Sequence, residues 1–133
     1  MRALRERIAQ ENVDILEVGT AGLSILDLVA GYDRLIVVDA IVSGADPGTV
    51  HELRGADVAR ASHLGPGHDA DLPTVLALGE KLAAEQMPSE VVVVAVEAAD
   101  IATVSADLSP EVKAAVPNAT ARVEAICSGG SAA

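Results

Sequence analysis

Arg34-Leu35-Ile36-Val37-Val38-Asp39-Ala40-Ile41-Val42-Ser43-Gly44 sets one carboxylate, Asp39, inside an otherwise apolar run. Leu35 to Val38 are aliphatic and largely β-branched, so the stretch reads as a strand buried on both faces, the pattern of a central strand in an α/β sheet. An acid in that setting needs a reason. An unpaired buried carboxylate is costly or takes up a proton, whereas the carboxyl end of such a strand is where α/β folds hold their ligands. Asp39 is therefore the first candidate site residue, although a lone Asp at a strand end also serves as a turn or capping residue.

Working outward, Gly31-Tyr32-Asp33 turns the chain into this strand, and Gly31 reads as the stop of a preceding helix with Leu23, Leu26 and Val29 or Ala30 on its buried stripe. That helix follows Gly19-Thr20-Ala21-Gly22, which resembles a phosphate-binding turn without the dinucleotide fingerprint or a Walker lysine. Before it, Val13 to Val18 read as a strand ending at Glu17, and Arg2 to Glu11 as an opening helix. Beyond Asp39, Ser43 to Gly48 is rich in turn formers, and Thr49 to Arg54 reads as an antiparallel edge strand.

The long stretch from Gly55 to Ala70 carries His63, Gly65-Pro66-Gly67, His68 and Asp69. Loops of that length in small domains are often functional. A helix follows, with Asp71 at its cap, Pro73 in its first turn, Leu72, Val75, Leu76 and Leu82 on one face, and Met87-Pro88 as its end. Glu90 to Val96 is the strongest strand in the chain, and Glu97 marks its exit. Ser109-Pro110-Glu111 then opens a helix with Val112, Val116, Ala119, Val123 and Ile126 at helical spacing and a kink expected at Pro117. The expected architecture is one domain over residues 1–127, a three-layer α/β/α sandwich whose mostly parallel sheet contains one antiparallel strand, followed by a flexible tail from Ser128 to Ala133.

With 133 residues the chain suits one domain. Tyr32 is its only aromatic residue and its formal net charge is -11, which argues against base stacking and against a basic phosphate-binding surface. No nucleic-acid partner is expected. Cys127 stands alone, so an intrachain disulfide and a cysteine-rich metal site are excluded and a reducing cytoplasm fits. The charged start, Met1-Arg2-Ala3-Leu4-Arg5-Glu6-Arg7, is unlike a signal peptide, and no apolar run reaches membrane-spanning length, so no membrane insertion is expected.

Asp39 with His68 is the constellation that carries chemistry. A carboxylate and an imidazole can ligate a borderline divalent ion such as nickel or zinc, with Glu17 or Glu97 as a third ligand or with the third missing altogether. His68 also reads as an exposed loop histidine; His63 and His51 are weaker candidates, and a two-histidine site from His63 and His68 is a lesser alternative. Ser24, Ser43 and Cys127 lack any nucleophile context.

Taken in order, Gly19-Thr20-Ala21-Gly22, Gly31-Tyr32-Asp33-Arg34 leading to Val37-Val38-Asp39-Ala40, Pro47-Gly48-Thr49-Val50, His68-Asp69 ahead of Leu72, Val96-Glu97, and Leu108-Ser109-Pro110-Glu111-Val112 resemble the hydrogenase maturation protease family. The resemblance spans about Val13 to Ile126. It implies an endopeptidase that removes a carboxy-terminal extension from the large-subunit precursor of nickel-iron hydrogenase once nickel is inserted. Asp39 and His68 match two of the family's three metal-recognising side chains, so the resemblance makes both catalytic and metal-binding, with nickel in the precursor or at a shared site. The third, a Glu or Asp in a Gly-Asn segment after the family's first strand, has no counterpart, because this chain begins just beyond it. Either the reading frame starts upstream or this is a truncated relative that binds nickel or the loaded precursor without cutting. The resemblance leaves the oligomeric state open.

Overall fold

The computed structural model describes residues 13–16, 25–55, 57–58, 72–100 and 109–129. Helix α1 (Ile25–Val29) precedes strand β1 (Arg34–Ile41) and strand β2 (Val50–Arg54). Helix α2 (Leu72–Ala83), a 3-10 turn (Ala84–Gln86), strand β3 (Glu90–Glu97) and helix α3 (Pro110–Gly129) complete the order.

The described strands lie in the order β1-β3-β2, with β1 parallel and β2 antiparallel to β3. Thus β3, not the Asp39 strand, is central among them. Its run from Val92 to Val96 is paired on both sides and buried on both faces, which is why it shows no polar alternation. β1 is only half-buried and exposes Val38, so reading it as central overestimated its burial. β2 has the expected direction, but β3 intervenes between it and β1.

One sheet face carries Val92, Val94 and Val96 against Val112, Ala115, Ala119, Val123 and Ile126 of α3. The other carries Val93 and Ala95 with Ile41, Val58, Leu53 and Leu76. Helices on both faces of an α/β sheet give the expected sandwich. α3 begins as its sequence dictates, with the Val112 N–H donating to Ser109 Oγ at 3.3 Å and Pro110 in the first turn, where no donor is needed. It runs unbroken through Pro117 and on through Ser128 and Gly129, into the stretch expected as tail. At its far end the Arg34 guanidinium donates to the Ile126 carbonyl at 2.8 Å and pairs with Glu90 at 2.5 Å. Arg54 bridges Glu90 and Glu52 at 3.1 and 2.9 Å, which ties β2 into the same ladder.

Two expectations fail locally. Residues 13–16 form no regular strand, yet Val13 and Ile15 pack against the α3-side core and the Tyr32 hydroxyl donates to Asp14. That hydrogen bond and the Asp14 charge push the Tyr32 hydroxyl above its ordinary range. Leu82 is 71% exposed instead of lying on the buried face of α2. Gly79 occupies that face, where a Cβ would come within 2.8 Å of Leu26 Cδ2 and 2.7 Å of Met87 Sδ. The helix pair packs through this glycine, with Leu82 turned outward.

Gly31, with φ of 88°, ends α1 as expected. Gly48 is more demanding. Its φ is 91°, its N–H donates to the Glu97 carbonyl at 2.8 Å, and a Cβ there would sit 2.8 Å from the Glu111 carbonyl oxygen in the first turn of α3. Gly48→Ala is expected to cost about 1–3 kcal/mol of stability, read from the urea midpoint. An unchanged midpoint contradicts this placement of the 46–49 turn against α3.

Candidate functional site

Asp39 lies within β1, third from its end, because Ala40 and Ile41 extend the ladder to Val96 and Glu97. Val37 and Ile41 both pack on the α2 side of the sheet, and the two-residue period places Asp39 on that same face. It is half-buried, and its Oδ1 accepts the Ala40 N–H at 2.8 Å, which fixes one carboxylate oxygen beside the main chain. The register sets Asp39, Ala95 and His51 in one row across the sheet.

His68 lies outside the described residues, as do His63, Glu17 and the stretch 19–22 expected as a turn. The next described helix after His68 in the sequence, α2, packs through Leu76 on the Asp39 face. Among the described residues no group of three His, Cys, Asp or Glu side chains could hold a metal ion. Of the two expected ligands, Asp39 alone is among the described residues, and a carboxylate is an oxygen donor of the kind a borderline divalent ion takes.

Glu97 does not serve as a third ligand. Its side chain is fully buried, and both oxygens are committed: Oε2 accepts the Ser43 N–H at 2.7 Å, while Oε1 accepts the Ser43 hydroxyl at 2.6 Å and stands 3.0 Å from His51 Nε2. For Oε1 to accept there, His51 must carry its proton on Nε2. Burial pushes the Glu97 carboxyl up, but the Ser43 hydroxyl, the Ser43 N–H and His51 together outweigh it and hold the group below the usual carboxylate range. The carboxylate is thus ionised and acceptor-only.

Ser43 and His51, set aside in the sequence as a residue without nucleophile context and a lesser metal candidate, prove to be the partners of this buried acid. A signal for them existed. Glu97 closes a strand with no other polar residue after Glu90, and a buried carboxylate obliges the chain to supply donors. A turn serine and a histidine two residues from Leu53, hence on the same face of β2, are such donors.

No helix among the described residues is long and apolar enough to cross a membrane.

A model of the hydrogenase maturation protease family matches residues 1–126. The chain is 29% identical over 113 residues to the hydrogenase expression/formation protein HupD of Thiocapsa roseopersicina, covering 82% of this chain and 49% of that protein. It therefore spans about half the length of that curated relative. Its fold is similar to the hydrogenase maturating endopeptidase HybD from Escherichia coli, with a TM-score of 0.74 and 28% identity over 97% of this chain and 82% of that one. It is also similar to the NiFe hydrogenase maturation protease HybD from Thermococcus kodakarensis, with a TM-score of 0.71 and 26% identity over 94% of this chain and 83% of that one.

Proposed function

The chain belongs to the hydrogenase maturation protease family, and from that premise we propose that it is an endopeptidase acting on the large-subunit precursor of a nickel-iron hydrogenase. In this reading it removes the precursor's carboxy-terminal extension after nickel insertion. Asp39 carries the proposal: its half-buried carboxylate stands on the α2 face near the carboxyl end of β1, with one oxygen fixed by the Ala40 N–H. That is where α/β folds hold their ligands.

Nickel enters as part of the substrate. Nickel there would mark the precursor as loaded, and as a Lewis acid it would supply polarisation of the scissile carbonyl. Asp39 and His68 recognise that centre, one as an oxygen donor and the other as a nitrogen donor. Asp39 also serves as the base that takes the proton from the attacking water. Its hydrogen bond to Ala40 holds the carboxylate in one orientation for this work. Hydrolysis forms a carboxylate on the mature subunit and a free amine on the released extension. The single cysteine, Cys127, suits a reducing compartment, and the cytoplasm is the proposed location.

The His68→Ala variant tests the pairing of the two residues. Assayed on nickel-loaded precursor, it is expected to lower cleavage by about 10²-fold or more. Cleavage at the wild-type rate removes His68 from the site. If the wild-type chain binds loaded precursor but never cuts it, the chain is instead a non-catalytic relative.

A further inference from the structure

The strongest unexplained feature is the buried acid beside the site. Fully buried Glu is rare unless paired, and an apolar residue of similar volume at a buried strand end often serves stability as well as an ion pair does. The reason for an acid must therefore be sought in what it holds. Besides the three side-chain contacts to Ser43 and His51, the Glu97 N–H donates to the Thr49 carbonyl at 2.8 Å and its own carbonyl accepts the Gly48 N–H at 2.8 Å. The next residue continues the pattern, with the Ala98 N–H donating to the Ile41 carbonyl at 2.8 Å. All of these bonds reach the segment that leaves the Asp39 strand and returns as β2.

That segment already closes its own turn. Thr49 bonds the Asp46 carbonyl through its N–H at 3.1 Å and its hydroxyl at 2.6 Å, and Gly44 and Gly48 supply the positive φ angles. What the Glu97 carboxylate adds is placement relative to β3. It grips Ser43, four residues beyond Asp39 along the chain, and His51, which shares Asp39's row across the sheet. We propose that Glu97 is a positioning residue for the cleavage site, clamping Ser43 and His51 so that the exit of β1, and with it the Asp39 carboxylate, is held in register. This rests on the reading of Asp39 as the site's carboxylate. A displacement of about 1 Å in such a group is enough to cost about 10²-fold in rate.

The test uses Glu97→Gln and Ser43→Ala. Gln keeps the shape but offers only one oxygen acceptor, so at least one of three donors loses its partner; Ser43→Ala removes a single hydroxyl from an exposed residue and leaves its N–H bond. On nickel-loaded precursor, Glu97→Gln is expected to lower kcat by about 10- to 100-fold with KM nearly unchanged. Ser43→Ala gives a smaller fall in the same direction, and Ser43→Thr restores it. Amide hydrogen exchange supplies a readout independent of cleavage. The Ala40 N–H, bonded to Asp39, is expected to lose protection in both variants while Val93 and Val94 of β3 keep theirs.

If the wild type does not cleave but Ala40 protection falls, the functional reading fails and the clamp survives. Protection of Ala40 equal to wild type in Ser43→Ala, with kcat also unchanged, overturns the proposal. If Glu97→Gln unfolds, seen as lost protection at Val93 and Val94, the Ser43 pair decides alone.

Discussion

Asp39→Asn lowers cleavage of nickel-loaded precursor by about 10³-fold and leaves the fold intact. The two halves of that result follow from the same geometry. Asn retains a carbonyl oxygen that can accept the Ala40 N–H now bonded at 2.8 Å, so β1 keeps its local hydrogen bonding. What disappears is the negative charge and the capacity to take a proton. In the proposed mechanism the general base contributes about 10²–10⁴-fold, and loss of an anionic donor to the substrate's nickel would add to that. Urea unfolding of the variant should match wild type within about 0.5 kcal/mol, because Asn keeps the shape of the side chain and the bond to the Ala40 N–H. A large stability loss with a proportionate loss of cleavage would make Asp39 structural instead.

Glu97→Ala is expected to cost about 3–5 kcal/mol, the scale of breaking a buried charged interaction by removing one partner. The Ser43 N–H, the Ser43 hydroxyl and His51 Nε2 all lose their acceptor, and a void opens beneath the β1–β2 connection. Against a typical total of about 5–15 kcal/mol, that loss leaves a marginal protein. The pH dependence has a definite sign. Because the folded state holds the Glu97 carboxyl below its ordinary value of 4.5, its contribution is complete above that value and is lost as pH falls through the lowered folded one. The wild-type advantage over Glu97→Ala, measured by urea denaturation, should therefore be constant from neutral pH down to about that ordinary value and shrink below it. An advantage that grows on acidification contradicts the ionised assignment.

Where local chemistry sufficed, the chain was readable. The unbroken Val run of β3, the Ser109-Pro110-Glu111 start of α3 and the Gly31 stop of α1 are each dictated by a few neighbouring residues. The misreadings were tertiary. Whether β1 or β3 is central depends on which strand the chain inserts between the other two, and an apolar run reports burial without reporting neighbours. Leu82 fits a helical stripe loosely, but the helix pair closes on Gly79, which no apolar pattern marks. Val13 to Leu16 has strand composition yet packs without pairing among the described residues.

The candidate site was legible only as single residues. Asp39 stood out because an acid interrupts an apolar strand. Glu97 stood out for the same reason and was read as a spare ligand, since a sequence shows an acid's position and not the donors that saturate it. Ser43 and His51 became meaningful only when the β2–β3 register brought His51 beside Ala95 and left Glu97 within reach. For His68 the family resemblance carries the assignment.

The most direct test of the central claim is the mass of the hydrogenase large subunit after incubation of the wild-type chain with nickel-loaded and nickel-free precursor. The expected result is loss of the carboxy-terminal extension from the loaded precursor alone, abolished by Asp39→Asn. An unshortened loaded precursor, or equal shortening by the wild type and Asp39→Asn, would contradict it.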